Sequence, residues 1–385
     1  MAADIAPPLR DKRLRDLFIL AVATAVMVAL AIAALILRAQ EVSPGFDPVP
    51  VFPALKSQVN TVAKIVIESQ KGKFEAVRDP DGTWRLPGKG GYPAEFEQVN
   101  RAINGMAELE LAEQKTARYD WHEALDLVMP EEGGKAVVLT LLDGAGTELA
   151  ALVAGKVQDV PSVGSLGTLY VRRKGEDQTW LARGFLTLQT DQAAWLDKTL
   201  FAMPRERIKS ADIAPPEGAS YTLSRAKKED RDFTLSAVPE GRQPLAGNVL
   251  SGIAGALEGI TFDDVMAFKP EDFAKASRAA FTTFDGLTVI VSVMSNGEGY
   301  WANFNAIGEA VPPAEGAPVP AEGEAAPDAV GEAKAINARV AGWAYRLPRY
   351  KGELLQTAFD TLLLPAQPEG EAPAAPGLTP VPAQP

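Results

Sequence analysis

The hydrophobic pattern of the chain begins with one uninterrupted apolar run and then changes to short alternating segments. The run covers Leu17–Leu37 and contains no charged residue. At the helical rise it extends roughly 32 Å, which is enough to cross a hydrocarbon core about 30 Å thick. The pattern therefore predicts a transmembrane helix over 17–37, preceded by a short N-terminus over 1–16.

Basic residues are concentrated on one side of this run. Those that precede it are Arg10, Lys12, Arg13 and Arg15, whereas only Arg38 follows it before Lys56. The positive-inside rule places such an N-terminus in the cytoplasm, with the body in the periplasm and the helix in the inner membrane. A cleaved signal peptide has the same basic start, but its apolar region usually runs ~7–15 residues. We therefore expect an uncleaved signal-anchor whose first partner is the lipid bilayer, through Leu17–Leu37.

Beyond a proline-rich stalk over 38–54, the pattern predicts strands and covering helices. Ile65 and Ile67 share one face of a strand, and Trp84 follows a turn as a core residue of a partner strand. A helix is predicted where apolar residues recur at helical spacing, at Phe96, Val99, Ile103, Met106 and Leu109. A second helix over Gln192–Leu200 closes this first unit.

The same order of predicted elements recurs from Met203 onward. A helix is predicted over Leu245–Leu257, a hairpin at Asp285-Gly286, and a final helix over Arg349–Leu363. We therefore predict an α+β fold with two divergent copies of one unit, each an antiparallel sheet with covering helices. The copies are assigned to 55–202 and 203–364.

Two further segments have a composition that does not support a packed core. Proline, alanine, glycine and glutamate dominate 309–332, and the C-terminal tail over 365–385 is of the same kind. Segments with so few aromatic and β-branched residues bury too little surface to become ordered. Both are predicted to be disordered, the first as an insertion within the second unit.

Composition excludes several kinds of chemistry. The chain has no cysteine and a net charge of −12, so thiolate chemistry is absent and binding to nucleic acid is disfavoured. His122 is the only histidine, which rules out zinc sites built on several histidines. We expect His122 to be exposed or to cap a turn rather than to serve in a catalytic triad.

Two motifs resemble catalytic or nucleotide-binding sequences but depart from them. Val163–Gly167 surrounds Ser165 as in a nucleophile elbow, but Val163 replaces the first glycine. Gly82–Lys89 resembles a phosphate loop, but its spacing is one residue too long and Gly90 replaces the hydroxyl residue. Neighbouring carboxylates are interpreted as solvated turns; they are Asp263-Asp264, Glu131-Glu132 and Glu229-Asp230. The sequence thus predicts no catalytic residue, no metal ligand and no cofactor, and it leaves binding residues unassigned.

Several short segments resemble a family of bacterial proteins catalogued as a domain of unknown function. The segments are NTVAKIVIES, DGTWRL, YPAEFEQVNRAINGMAEL, TLYVRR and WLDKTLF, and the resemblance covers most of residues 55–305. Members typically have one N-terminal span and an exported body. Related domains occur in auxiliary components of gliding-motility-type ABC transport systems. The resemblance implies an accessory role in transport, and it assigns no functional residue.

These observations lead to two expectations about function. The first is a non-enzymatic, membrane-anchored envelope protein that acts as an accessory or scaffold subunit of an ABC-type transport complex, in contact with an integral-membrane transporter subunit. The alternative is an envelope-glycan-binding protein or glycoside hydrolase that uses an acidic cleft between the repeats. A broad exposed apolar surface would favour the first, whereas convergent carboxylates beside exposed aromatic rings would favour the second.

Overall fold

The computed structural model describes residues 9–42, 49–163, 165–297, 299–311 and 328–365. The chain divides into two compact units. The first unit combines Met1–Lys73 with Asn100–Leu188, and the second combines Phe74–Val99 with Gln189–Pro385.

The described residues form six α-helices and eighteen strands. The helices are α1 (Leu9–Val42), α2 (Leu55–Gln58), α3 (Phe96–Ala107), α4 (Gly247–Ala254), α5 (Ala329–Val340) and α6 (Arg349–Leu355). The strands up to residue 184 are β1 (Val49–Pro50), β2 (Val62–Ser69), β3 (Gly72–Arg78), β4 (Trp84–Leu86), β5 (Tyr92–Pro93), β6 (Glu110–Gln114), β7 (Val137–Asp143), β8 (Glu148–Asp159), β9 (Gly167–Arg173) and β10 (Trp180–Gly184). The remaining strands are β11 (Ile208–Ala214), β12 (Tyr221–Ser224), β13 (Thr234–Leu235), β14 (Asp264–Ala267), β15 (Ser277–Thr283), β16 (Leu287–Asn296), β17 (Gly299–Gly308) and β18 (Trp343–Leu347).

Each unit holds one large antiparallel sheet. In the first unit the strand order is β1-β6-β10-β9-β8-β7-β2. In the second unit eight strands follow the order β13-β12-β11-β15-β16-β17-β18-β14, and β3, β4 and β5 form an antiparallel meander. Neighbours in the order are consecutive in the chain at most positions, which is typical of antiparallel sheets joined by hairpins.

The two large sheets share one sequence of connections. From β6 the first sheet runs β6-β10-β9-β8-β7-β2, and from β14 the second runs β14-β18-β17-β16-β15-β11. In chain order, β2, β6, β7, β8, β9 and β10 of the first sheet correspond one to one with β11, β14, β15, β16, β17 and β18 of the second. A duplicated unit would produce this correspondence. The duplication over 55–202 and 203–364 itself stays a prediction.

The central strands of the first unit are buried on both faces. Val138–Leu141 of β7 and Ala150–Ala154 of β8 are buried without interruption. Because side chains alternate between the faces of a strand, such a run requires cover on both sides. On one side the cover includes residues from the irregular segment between β6 and β7; the cluster comprises Leu127, Met129, Ala136, Val138 and Val153.

The sheet of the second unit has a different burial pattern. In β16 the inward valines Val289, Val291 and Val293 are buried, and the residues between them are partly exposed. β15 alternates in the same way. This alternation is typical of an antiparallel sheet that is covered on one face only.

A buried arginine fixes irregular backbone in the second unit. The guanidinium of Arg225 is 8% exposed, and it lies over the rings of Phe233 and Phe284, 5.0 and 5.4 Å from their centroids. It donates hydrogen bonds of 2.6–3.1 Å to the carbonyl oxygens of Ile208, Lys228, Asp230, Arg205 and Glu206. All of these carbonyls except that of Ile208 lie outside the strands, so the arginine satisfies acceptors that burial would otherwise leave unpaired.

The predicted α+β fold class is wrong, because two large antiparallel sheets dominate the described residues and the helices other than α1 are few and short. The predicted helix over Gln192–Leu200 is only a 3-10 turn over Gln192–Trp195. Beyond it the backbone becomes extended, because Leu196 bridges Ala94 and the Trp195 carbonyl accepts from the Glu95 N–H. The apolar spacing favours a helix here, but pairing of the backbone with residues 94–95 prevents one from forming.

Other predicted elements differ in length or were missed. The helix predicted over Leu245–Leu257 is α4, Gly247–Ala254, and the final helix ends at Leu355. α5 begins at Ala329, inside the insertion predicted as disordered over 309–332, and β18 follows it unpredicted. Residues 1–8, 43–48, 312–327 and 366–385 lie outside the described residues, so much of the predicted N-terminus, stalk, insertion and tail is not described.

The predicted transmembrane helix over 17–37 is also wrong. Within the described part of the chain, no helix combines the length and the apolar character needed to cross a membrane. The signal-anchor and the single-pass inner-membrane localisation, which depended on that helix, are not supported.

Two buried isoleucines test the helical part of the core. Ile103 in α3 is 6% exposed and Ile253 in α4 is 3% exposed, whereas Phe96, which the sequence pattern also assigns to the core, is 64% exposed. We expect Ile103→Asp and Ile253→Asp each to lower the free energy of unfolding by about 3–5 kcal/mol, because each buries an unpaired carboxylate. Phe96→Asp is the control in the same helix as Ile103 and should change it by less than ~1 kcal/mol. Urea denaturation measures all three, and equal losses would contradict the burial described.

Buried tyrosines predict a loss of stability in alkali. Burial raises the pKa of Tyr92 to about 12, and its hydroxyl donates to the Asp197 carbonyl at 3.1 Å. Burial also raises the pKa values of Tyr221 and Tyr345. The folded state favours the neutral phenols, whose pKa in the unfolded chain is ~10. Their contribution to the free energy of unfolding is therefore complete below pH ~10 and is lost as the pH rises toward 12.

We expect the free energy of unfolding to fall by about 1.4 kcal/mol per pH unit for each of these tyrosines between pH ~10 and ~12. Tyr92→Phe should reduce that slope by about 1.4 kcal/mol per pH unit, the contribution of one tyrosine. Urea denaturation across the pH range gives the slope, and absorbance titration counts the phenols that ionise late. Seven tyrosines that all ionise together near pH 10 in the folded protein would contradict the prediction.

Candidate functional site

One exposed surface of the first unit lies where β8 runs past β7. β7 pairs with β8 only as far as Ala154, whereas β8 continues to Asp159. We define the arm as residues 156–163 with Ser165 and Leu166, which form the projecting part of the β8–β9 hairpin. Residues 156–160 are exposed without interruption, so neither face of the strand is covered there.

Aliphatic side chains dominate the surface of the arm. Val157 is 52% exposed, Val160 is 76% exposed, and Val163 is exposed completely. Near the base of the arm, Leu166 and Phe185 border a cavity of about 280 Å³ together with Pro50 and Ala107. The arm therefore exposes three valines, and Leu166 at its base shares a cavity with Phe185.

Gly155 separates the covered part of β8 from the arm. A Cβ atom at this position would lie 2.2 Å from the Leu125 carbonyl oxygen and 2.9 Å from the Leu127 side chain. The irregular segment that covers β8 therefore approaches the strand backbone at Gly155, and the five residues that follow lie beyond it. Only glycine allows that approach without displacing the cover.

The backbone of the arm is irregular. Its register against β9 shifts between Ala154 and Val157, and again between Val157 and Asp159. The Thr168 hydroxyl donates to the Asp159 carboxylate at 2.7 Å, and Pro161 follows directly after the exposed residues. β-bulges, lysine and proline are the features with which proteins protect sheet edges from pairing.

A second apolar surface lies on α1. The large apolar side chains from Leu17 to Ile32 are all about half exposed or more. They lie on every side of the helix, because the apolar run has no polar face. Within the described residues, 17–33 show no buried position.

An acidic pocket of about 390 Å³ lies in the first unit, in the segment between β6 and β7. Its walls include Tyr119, Asp120, Glu123, Asp126 and Glu132. The Tyr119 hydroxyl donates to the Glu132 carboxylate at 2.7 Å, and this bond raises the pKa of the phenol because it holds the proton. The neighbouring Trp121 ring is 54% exposed.

Three of the acidic side chains in this pocket already have partners, and one of them is Asp126, whose carboxylate lies 3.9 Å from the Lys135 ammonium. The Arg118 guanidinium donates to the Asp120 carboxylate at 2.5 and 3.1 Å, which holds the pKa of Asp120 below its usual value. Glu132 accepts the bond from Tyr119. Asp126 has φ of +56°, a left-handed conformation that is uncommon outside glycine.

His122 belongs to this segment, and its side chain is completely buried. Its Nε2 atom is 2.9 Å from the Asp177 carbonyl oxygen, and its Nδ1 atom has no hydrogen-bond partner among the described residues. It joins two 3-10 turns, ending the one over Tyr119–Trp121 and beginning the one over Glu123–Leu125. His122 thus occupies a cap position of both turns through its backbone, whereas its side chain makes no capping hydrogen bond and is not exposed.

The other residues considered from the sequence take structural positions. The Lys89 ammonium forms an ion pair with the Asp264 carboxylate at 2.6 Å, so it is not available to bind a phosphate. Ser165 pairs through its backbone with Ser162 at the tip of the arm, and Trp84 is buried as expected. Among the described residues, no group of three or more histidine or acidic side chains is placed to hold a metal ion.

The arm was not predicted from the sequence, although the spacing of its valines is visible there. Val157, Val160 and Val163 recur among Lys156, Asp159 and the Pro161 turn, in a segment that was considered only for Ser165. The sequence also missed the acidic pocket, apart from Glu132. The pocket depends on the folding of an irregular segment that has no periodic pattern.

A family model described as "Domain of unknown function (DUF4340)" matches residues 84–279. This is slightly more than half of the 385-residue chain. No curated protein and no solved structure matches the chain. The match agrees with the resemblance to a domain-of-unknown-function family, and it leaves the link to gliding-motility transport systems untested.

Substitution of Gly155 tests the boundary between the cover and the arm. We expect Gly155→Ala to lower the free energy of unfolding by about 1–3 kcal/mol, because the new Cβ meets the Leu125 backbone. Gly252→Ala is the control, since a Cβ there meets nothing within 4 Å and the position lies inside α4. That control should raise the free energy by ~0.5–1 kcal/mol. A tolerated Gly155→Ala would show that the cover does not approach β8 as described.

Proposed function

The chain belongs to the family described as "Domain of unknown function (DUF4340)", and on that premise we propose that it is a non-catalytic accessory subunit of an ABC-type transport complex. The single observation that carries the proposal is the exposed apolar surface of α1. The resemblance to this family supports the choice of complex, because related domains occur in auxiliary components of such transport systems.

The surface of α1 is larger than an isolated protein chain usually leaves in water. Ten large apolar side chains between Leu17 and Ile32 are 48–70% exposed. Full burial of one such side chain is worth roughly 1.5–3 kcal/mol, so covering half of this surface would contribute on the order of 10 kcal/mol before the cost of association. A partner protein that covers α1 would therefore be held by a substantial apolar contact.

A second candidate function is supported by the acidic pocket. Carboxylates converge beside the exposed rings of Tyr119 and Trp121, which is the combination expected of a glycan-binding site. The pocket lies within the first unit, between β6 and β7. The partners already held by Asp120 and Glu132 favour the accessory role, because they reduce the carboxylates that a sugar could engage.

Association through α1 can be tested with charged substitutions. We expect the full chain to crosslink to a subunit of an ABC-type transporter in the cell of origin, and Leu20→Lys with Leu30→Lys to weaken that association at least ~10-fold, or ~1.4 kcal/mol. These leucines are 63% and 64% exposed, so the fold should be unaffected. The control is Val249→Lys with Val311→Lys, at exposed positions of the second unit.

Two results would count against the accessory role. The first is a chain that is recovered alone after crosslinking. The second is specific binding of a soluble cell-wall glycan that is lost with Trp121→Ala and kept with the α1 substitutions, which would promote the second candidate function.

A further inference from the structure

We infer that a cavity in the second unit binds a small zwitterion, an aliphatic α-amino acid, between the Asp212 carboxylate and the Arg278 guanidinium. The cavity has a volume of about 450 Å³, and both side chains line it. It lies on the face of the sheet that the second unit leaves uncovered. The inference goes beyond the proposed function and does not rest on it.

Small side chains create this cavity on the surface of the sheet. The ladder places Asp212, Ala280 and Ile290 in one row across β11, β15 and β16. Directly opposite residues share a face, so the Ala280 methyl group lies between two larger side chains. In the neighbouring row Ala214 is opposite Arg278. The two alanines therefore leave a depression with an aliphatic floor.

The uncovered face carries few charges, and those few border the cavity. In the described ladders of β11, β12, β15 and β16, the paired positions of this face include two charged side chains, Asp212 and Arg278. The other paired positions carry hydroxyl or aliphatic side chains; they are Ser210, Ala214, Thr222, Ser224, Ala280, Thr282, Thr288, Ile290 and Ser292. The charge of the face is therefore concentrated at the cavity, as one group of each sign.

These two charged groups do not neutralise each other. Arg278 lies two residues from Ala280, the cross-strand partner of Asp212, so the charged pair is diagonal, with β-carbons roughly 7 Å apart. Among the residues that the structure describes, neither side chain forms an ion pair, and the Arg278 guanidinium has no hydrogen-bond partner. Each charge is therefore open to a ligand group of opposite sign.

Hydroxyl groups hold the carboxylate side of the cavity in position. The Thr222 hydroxyl donates to Oδ1 of Asp212 at 2.6 Å, and Oδ2 has no partner within the described part of the chain. The Ser236 hydroxyl lines the cavity as well and donates to the Thr222 carbonyl oxygen at 3.0 Å. A side chain that is fixed before the ligand arrives loses less conformational freedom on binding.

The pair of charges selects a ligand that carries both an ammonium and a carboxylate group. A guanidinium binds a carboxylate through two parallel N–H···O bonds, and a carboxylate accepts hydrogen bonds from an ammonium group. An α-amino acid satisfies Arg278 and Asp212 together. A simple anion or cation satisfies one of them and meets a like charge at the other. The aliphatic floor at Ala280 and Ile290 favours an aliphatic side chain on that amino acid.

Titration of the full chain with L-leucine tests the class of ligand. Two probes each remove one charged group from leucine: isoamylamine lacks the carboxylate, and isocaproate lacks the ammonium. We expect leucine to bind in isothermal titration calorimetry and each probe to bind at least ~10-fold more weakly. Absence of leucine binding at millimolar concentration, or equal binding of either probe, would overturn the inference.

Substitution of the charged residues tests their separate roles. Arg278→Gln should weaken leucine binding at least ~10-fold and remove the preference for leucine over isoamylamine. Asp212→Asn should weaken it similarly and remove the preference for leucine over isocaproate. The matched controls are Arg231→Gln and Asp272→Asn, at exposed positions of the second unit that do not line the cavity, and both should bind as the unmodified chain does. Leucine binding that is unchanged in both cavity variants would refute the site.

Filling the cavity tests its floor without a change of charge. Ala280→Leu should abolish leucine binding and leave the urea unfolding transition unchanged, because position 280 is partly exposed on the uncovered face. Thr288→Leu adds an aliphatic side chain to the same face outside the cavity and should bind leucine normally. Leucine binding that is kept in Ala280→Leu would mean that the amino acid binds elsewhere on the chain, and the assignment would fail.

Discussion

The fold of the first unit depends on burying both faces of β7 and β8. Strands buried on both faces need a second layer, and part of that layer is the irregular segment that contributes Leu127, Met129 and Ala136. An irregular layer must satisfy its own backbone, which is why Arg172 is buried and donates to the Leu127 carbonyl. The position of His122, the acidic pocket and the end of the cover at Gly155 all follow from the path of this segment.

The second unit also contains irregular backbone that must be satisfied, although the central strands of its sheet are buried on one face only. Its central sheet is covered on one face, and its irregular segments are fixed by the five carbonyl contacts of Arg225. In both units a buried guanidinium holds backbone that forms no ladder. The two sheets therefore have corresponding strand orders but different covering segments. The similarity of the two units is accordingly clearer in the order of their strands than in the spacing of matched features along the sequence.

Much of the strand content could be predicted from the sequence, whereas the class of the fold and the functional surfaces could not. The Asp285-Gly286 hairpin and α3 were predictable because both depend on local patterns, the turn chemistry of glycine and a 3.6-residue period. The helix at Gln192 was not, because pairing with Ala94 is non-local. Phe96 fits the apolar period of α3 and is nevertheless exposed. The apolar run of α1 was visible, but what its side chains contact is not encoded in their periodicity.

The position of the arm beyond Gly155 separates an exposed surface from the residues that maintain the fold. Substitutions at exposed positions usually change the free energy of unfolding by no more than ~0.5 kcal/mol, so the valines of the arm are free of the constraint that acts on Leu127 or Val153. Substitutions in this hairpin therefore need no compensating change in the core. Selection can alter the surface of the hairpin by small sequence steps while the scaffold beneath it stays unchanged.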